Sequence, residues 1–149
     1  MNNRFKYRLW DELEQKFNYY DLLNSESVFN FGYDIEEDMI NYNERVSLKD
    51  TDKSFVRLEQ GCSLIDDNNK NLYEGDIVSV TRYINEWSDE KTEYIGIIKY
   101  FSDFNSLGIE TIDKQFNTAF AIDKLITNIK LLGDIHQNKD ILKDYNYEQ

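Results

Sequence analysis

From Ile77 to Ile135 the chain is a succession of five short β-rich runs separated by tight polar turns. This rhythm constrains the fold more than any other feature. Asp76–Ile84 alternates apolar and polar side chains, as a strand with one buried face does. Thr92–Phe101 reads as the next strand, with Gly96 expected at a bulge or bend. Leu107–Ile112 and Thr118–Ile122 are two further runs. Asp123–Gly133 reads as a single helical turn that passes into a strand ending at Gly133. Strands this short and closely spaced predict a small, strongly bent SH3-like barrel. Asn, Asp and Gly must make the turns, because the sequence contains no proline.

Upstream, Arg4–Leu9 also alternates, with Phe5, Tyr7 and Leu9 on one face and Arg4, Lys6 and Arg8 on the other. That basic row is expected to balance the acidic remainder of the chain. Trp10–Tyr20 supports two structures. Trp10, Leu13, Phe17 and Tyr20 have helical spacing and Asp11 with Glu14 could form a capping box, yet the polar Asp11–Lys16 could equally be a turn between two strands. Ser54–Glu59 reads as a strand ending at Gly61, and Asp66–Asn71 as a turn in which Asn68-Asn69 suits positive φ. In Glu74-Gly75-Asp76 the two carboxylates could do acid–base chemistry if burial shifted one of them. The glycine between them points instead to a corner that feeds a strand. A short helix is expected in the tail, Asn138–Tyr145. The predicted class is mainly β: an N-terminal β-rich lobe over 1–61 with an acidic insert at 34–51, then an SH3-like β-barrel lobe over 62–149.

Composition removes several function classes. No apolar run approaches the roughly 18–20 residues that span a bilayer, and Met1–Lys6 lacks the apolar core of a signal peptide. An intracellular, non-membrane protein is expected. Cys62 and His136 are the only residues of their types, so one chain cannot form a disulfide. Nor can it supply the about four Cys/His ligands of a structural zinc site. A Ser-His-Asp triad would need His136, and a Cys–His dyad Cys62 with His136; neither sits in a nucleophile-elbow context. Cys62 is expected half-buried and His136 at the surface.

Charge is the strongest compositional signal. Asp and Glu total 29 against 17 Lys and Arg, a net charge of -12. Such a chain repels nucleic acid, whose binding relies on Lys and Arg, and is drawn to basic surfaces. The densest acidic stretch, Asp34–Glu44, holds five carboxylates and no basic residue. On one strand face carboxylates recur only every ~6.8 Å, whereas DNA presents a charge per ~1.7 Å of axis. A phosphate mimic would therefore need neighbouring segments as well. The stretch lacks the spacing of a calcium loop, so no metal is expected there. Asp34, Glu36, Glu37, Asp38, Tyr42, Glu44 and the exposed-looking Trp87 of the Asn85–Lys91 loop are the candidate partner-binding residues, with the aromatics as anchors.

Three blocks carry a family resemblance. Arg4-Phe5-Lys6-Tyr7-Arg8-Leu9-Trp10-Asp11 is similar to a "KFRAWD" opening. Leu64, Asp66, Asn68, Lys70, Tyr73, Glu74, Gly75, Asp76, Ile77 and Val78 fit "GLKDKNGKEIYEGDIV", and Leu131–Asn138 is similar to a "VIGNIYEN" ending. Together they resemble the phage YopX-type family, common in prophages of low-GC Gram-positive bacteria. Asn69 replaces the family's turn glycine, Cys62-Ser63 its Thr-Gly, and Lys139 its usual proline. The resemblance implies a β-hairpin for Trp10–Tyr20 and a small barrel downstream. It also implies the cytoplasm of a bacterial host, and it brings no accepted catalytic residues.

The function expected from these features is that of a non-enzymatic phage accessory protein that binds another protein, without a cofactor. Its partner would present a basic surface and could be a nucleic-acid-binding enzyme. The sharper alternative is an acidic, nucleic-acid-mimicking inhibitor of host or defence machinery, similar in action to an anti-CRISPR protein. A carboxylate enzyme is the third class. Direct nucleic-acid and membrane binding are not expected, and exposed strand edges with many Tyr residues are compatible with homo-oligomers.

Overall fold

A computed structural model describes residues 5–24, 26–28, 30, 57–103, 105–113 and 118–147. The protein is mainly β, with two antiparallel sheets, one of them curled into a half-barrel, and a short C-terminal helix. The chain divides into two units, Met1–Gly61 and Cys62–Gln149. Among the described residues no helix is long and apolar enough to cross a membrane.

In the first unit, Trp10–Tyr20 is a hairpin. Strand β1 (Lys6–Asp11) pairs antiparallel with β2 (Lys16–Asp21), Trp10 opposite Phe17 and Arg8 opposite Tyr19. The capping signal at Asp11 is real but serves a turn. Its Oδ1 accepts the Leu13 and Glu14 N–H groups, each at 3.0 Å, as a helix cap would. The chain then reverses at Gln15, which sits at φ 56° and donates its N–H to the Asp11 carbonyl at 2.7 Å. On its other side β1 pairs with the start of β3 (Arg57–Ile65). The strand expected to stop at Gly61 therefore continues to Ile65; residues 54–56 lie outside the described set.

Both faces of β1 are covered. Leu9, on one face, and Arg8 and Trp10, on the other, are all buried. Strict alternation had placed the apolar side chains on one face only. On the basic face, Trp10 packs edge-on to Phe17 with centroids 4.9 Å apart. The Arg8 guanidinium lies 4.0 Å from the Phe17 centroid and pairs with Glu59 through Nε at 2.7 Å. Arg8 is thus charge-balanced within the fold, as the basic row was expected to be.

In the second unit, the rest of β3 neighbours β4 (Asn71–Tyr73) through the Asp66–Lys70 turn, where Asn69 takes φ 65°. The half-barrel follows: β5 (Asp76–Tyr83), β6 (Lys91–Phe101), β7 (Ser106–Thr111), β8 (Ala119–Ala121) and β9 (Ile126–Asp134), in sheet order β8-β7-β6-β5-β9. Its inner face buries Val78, Val80, Ile98, Ile109, Phe120 and Ile129 with Leu72 and Cys62. Each such side chain contributes about 1.5–3 kcal/mol of hydrophobic stabilisation. Cys62 is completely buried, not half-buried.

Gly96 marks no bulge. It pairs in register with Val78 and Thr111. Its small size is needed because a Cβ there would lie 2.5 Å from Ile109 Cγ2 and 2.7 Å from the Glu110 carbonyl oxygen. The register shifts occur instead between β5 and β9, at Ile77/Val78 and Thr81/Arg82. Asp123–Ile126 is a tight turn, not a helical one, with Asp123 Oδ1 accepting the Leu125 N–H at 3.0 Å. The tail helix α1 (Lys139–Asp144) covers part of the outer face, where Leu142 packs with Ile77, Ile97 and Ile112.

Candidate functional site

Two places in the second unit hold chemistry singled out in the sequence: the Glu74-Gly75-Asp76 corner and the β5–β6 tip that carries Trp87. At the corner Gly75 sits at φ 90°, a conformation that a Cβ opposes. This lets its N–H reach the Ile98 carbonyl at 2.8 Å while its own carbonyl accepts the Ile135 N–H at 3.0 Å. Three segments are joined through one residue. Asp76, only 2% exposed, accepts the Tyr73 N–H on Oδ2 at 2.8 Å. The carboxylate therefore closes the turn between β4 and β5.

Two more buried aspartates work in the same way. Asp66 Oδ1 accepts the Asn68 and Lys70 N–H groups at 3.0 and 2.7 Å, and Oδ2 accepts the Leu131 N–H at 3.2 Å. With Asp67, which donates its N–H to the Ile129 carbonyl at 2.9 Å, it fastens the β3–β4 turn to strand β9. Asp134 Oδ1 accepts the His136 and Gln137 N–H groups, each at 2.9 Å, and turns the chain toward α1. Asn138, the residue before the helix, spends its side-chain oxygen on the Asp134 N–H at 3.1 Å. Gly133 makes room for it, since a Cβ there would lie 2.5 Å from the Asn138 side chain. A carboxylate that accepts several backbone donors is held in place by them, and its removal would strand those donors. These are corner-forming groups in sequence-adjacent turns, and sequence reasoning singled out only Asp76 among them for its chemistry. Asp66 does carry a sequence signal, an Asp followed at once by the turn residues Asp67-Asn68-Asn69, whereas Asp134 is followed by Ile135 and carries none.

Trp87 is 91% exposed, the most exposed large apolar side chain among the described residues. The tip bearing it is well tied. The Trp87 N–H donates to Asn85 Oδ1 at 2.9 Å, the Glu90 N–H to Ser88 Oγ at 3.0 Å, and the Ile84 N–H to the Glu90 carbonyl at 3.1 Å. Glu86, Asp89 and Glu90 lie within three residues of Trp87 in sequence. Lys124 pairs with Glu86 at 3.3 Å, Arg82 with Asp123 at 3.6 Å, and Lys91 lies over the Tyr83 ring at 4.9 Å.

The other candidate residues, Asp34, Glu36, Glu37, Asp38, Tyr42 and Glu44, lie outside the described residues. Among the described residues no group of three His, Cys, Asp or Glu is arranged to hold a metal. A cleft in the first unit is lined by Asn18, Tyr19, Tyr20, Ser27 and Asn30, which are amides, a hydroxyl and phenols with no carboxylate or imidazole.

One cluster that sequence reasoning missed joins the tail to the sheet. Lys99 Nζ lies 2.6 Å from the Tyr147 hydroxyl and 3.3 Å from Glu110 Oε1, and that hydroxyl donates to Glu110 Oε1 at 2.9 Å. Burial opposes the Lys99 ammonium, but the Tyr147 hydroxyl and the Glu110 carboxylate outweigh it, so its pKa is raised. Burial also pushes the Tyr147 phenol up. The partners are 11 and 48 residues from Lys99 in sequence, and no local spacing could have revealed them.

Fold and corners together define a small β protein of two units with a half-barrel, built on buried turn aspartates. The model of the YopX protein family matches residues 6–143, and the chain belongs to that family. A comparison with curated proteins found no match.

Proposed function

We propose that this chain is a phage accessory protein of the bacterial host cytoplasm that acts by binding another protein rather than by catalysis. One observation carries the proposal. The four buried carboxylates among the described residues serve the fold: Glu59 faces Arg8, while Asp66, Asp76 and Asp134 accept backbone N–H groups. The other carboxylates among the described residues are not buried, and a chain with a net charge of -12 is attracted to basic protein surfaces. Family membership supports the phage setting.

The dense acid run Asp34–Glu44 favours one sharper version, in which the partner is a nucleic-acid enzyme and the acidic surface occupies its basic channel. Capture of proteins from a nuclease-treated bacterial lysate on the immobilised full chain tests both. The expected result is retention of a basic protein, with retention lost when Glu36, Glu37 and Asp38 are each changed to Lys. Equal retention by that triple variant removes the acid run as the contact and leaves protein binding in place. Retention of no protein removes the proposal.

A further inference from the structure

We infer that the β5–β6 tip is the docking element of this protein, with the Trp87 indole inserting into an apolar pocket rimmed by Lys or Arg on a protein partner. This rests on the protein-binding proposal and specifies which surface does the binding and what it fits. An exposed tryptophan loses water contact only when covered, and aromatic anchors of this kind dominate interface energies. The tip is also tied in advance. Three hydrogen bonds fix the Ile84–Glu90 segment, so docking would freeze few backbone torsions.

The chemistry of the partner follows from what surrounds the indole. Glu86, Asp89 and Glu90 lie within three residues of Trp87, and the cations nearby already have partners in Lys124–Glu86, Arg82–Asp123 and Lys91 over Tyr83. A partner therefore meets an apolar side chain set in negative charge. A nucleic-acid base could stack on the same ring, but its phosphates would face those three carboxylates, which disfavours that occupant.

Intrinsic fluorescence gives a direct test, because the two tryptophans are opposites: Trp10 is 2% exposed and Trp87 91%. The difference between the wild-type and Trp87→Phe spectra isolates the tip. The probes are a basic protein retained on the full chain from nuclease-treated bacterial lysate and then purified, and a single-stranded oligonucleotide. Supporting results are a blue shift of the Trp87 signal on adding the protein, at least ~10-fold weaker binding by Trp87→Ala, partial recovery in Trp87→Phe, and weakening by Glu86→Lys/Asp89→Lys/Glu90→Lys. An unchanged circular dichroism spectrum and melting temperature show that the exposed substitution leaves the fold intact. Equal binding by Trp87→Ala overturns the tip as docking element while protein binding stands. A Trp87 shift with the oligonucleotide alone overturns the choice of partner. Failure of the wild-type chain to retain any protein overturns the tip and the broader proposal together.

Discussion

At position 75 the backbone adopts φ 90°, and no side chain is tolerated there without strain. Gly75→Val should cost about 1–3 kcal/mol or more, read as a lower denaturant midpoint. The neighbouring Asp76 separates structural from chemical roles. Asp76→Ala leaves the buried Tyr73 N–H without this acceptor and should cost about 1–3 kcal/mol, whereas Asp76→Asn keeps an acceptor oxygen and should stay folded with a smaller loss. An Asp76→Asn protein that folds and binds its partner normally but loses its biological effect would point to chemistry at the corner. Position 8 shows why single residues mislead when read by alternation alone. Arg8 lies on the face opposite the expected apolar one, yet it is buried, stacked on Phe17 and paired with Glu59, 51 residues away.

Among the elements, β9 depends on a turn far from it in sequence. Asp66 accepts the Leu131 N–H, so Asp66→Ala should speed hydrogen exchange at Leu131, with little change at Val80 in the sheet interior. The tail makes a pH prediction. Lys99 and Tyr147 both have raised pKa values in the folded state, so folding holds their protons more tightly. Their contribution is complete below the unfolded values, near pH 10, and is lost as pH rises past them. Stability should therefore fall above about pH 10, and the Lys99→Met/Tyr147→Phe double variant should show a shallower fall in melting temperature.

The elements also show what was legible. Strands β5–β9 followed from β-rich runs between polar turns, with alternation at β5, and the Asn69 turn from residue chemistry. The β1–β2 hairpin did not follow from periodicity, because Asp11 makes the same side-chain bonds in a turn as at a helix start; only φ at Gln15 separates the two. Gly96 is not the bulge its sequence suggests, because the cause of the glycine, the close approach of Ile109 and the Glu110 carbonyl, comes from the neighbouring strand. Of the candidate contact residues, Trp87 alone falls among the described ones, with the exposure its polar surroundings predicted.

For the whole molecule, the dominant property is a net charge of -12, and the buried acids among the described residues are already engaged. A charge excess of this kind steers association and makes it sensitive to ionic strength. Binding should weaken with salt, and charge reversal at the surface should act chiefly on the association rate. The most direct test is the dissociation constant of the full chain with its purified protein partner, measured from about 0.05 to about 0.5 M salt, where screening shortens from ~14 to ~4 Å. The predicted result is a basic partner whose affinity falls steadily across that range. An affinity that does not change with salt would contradict charge-directed protein binding.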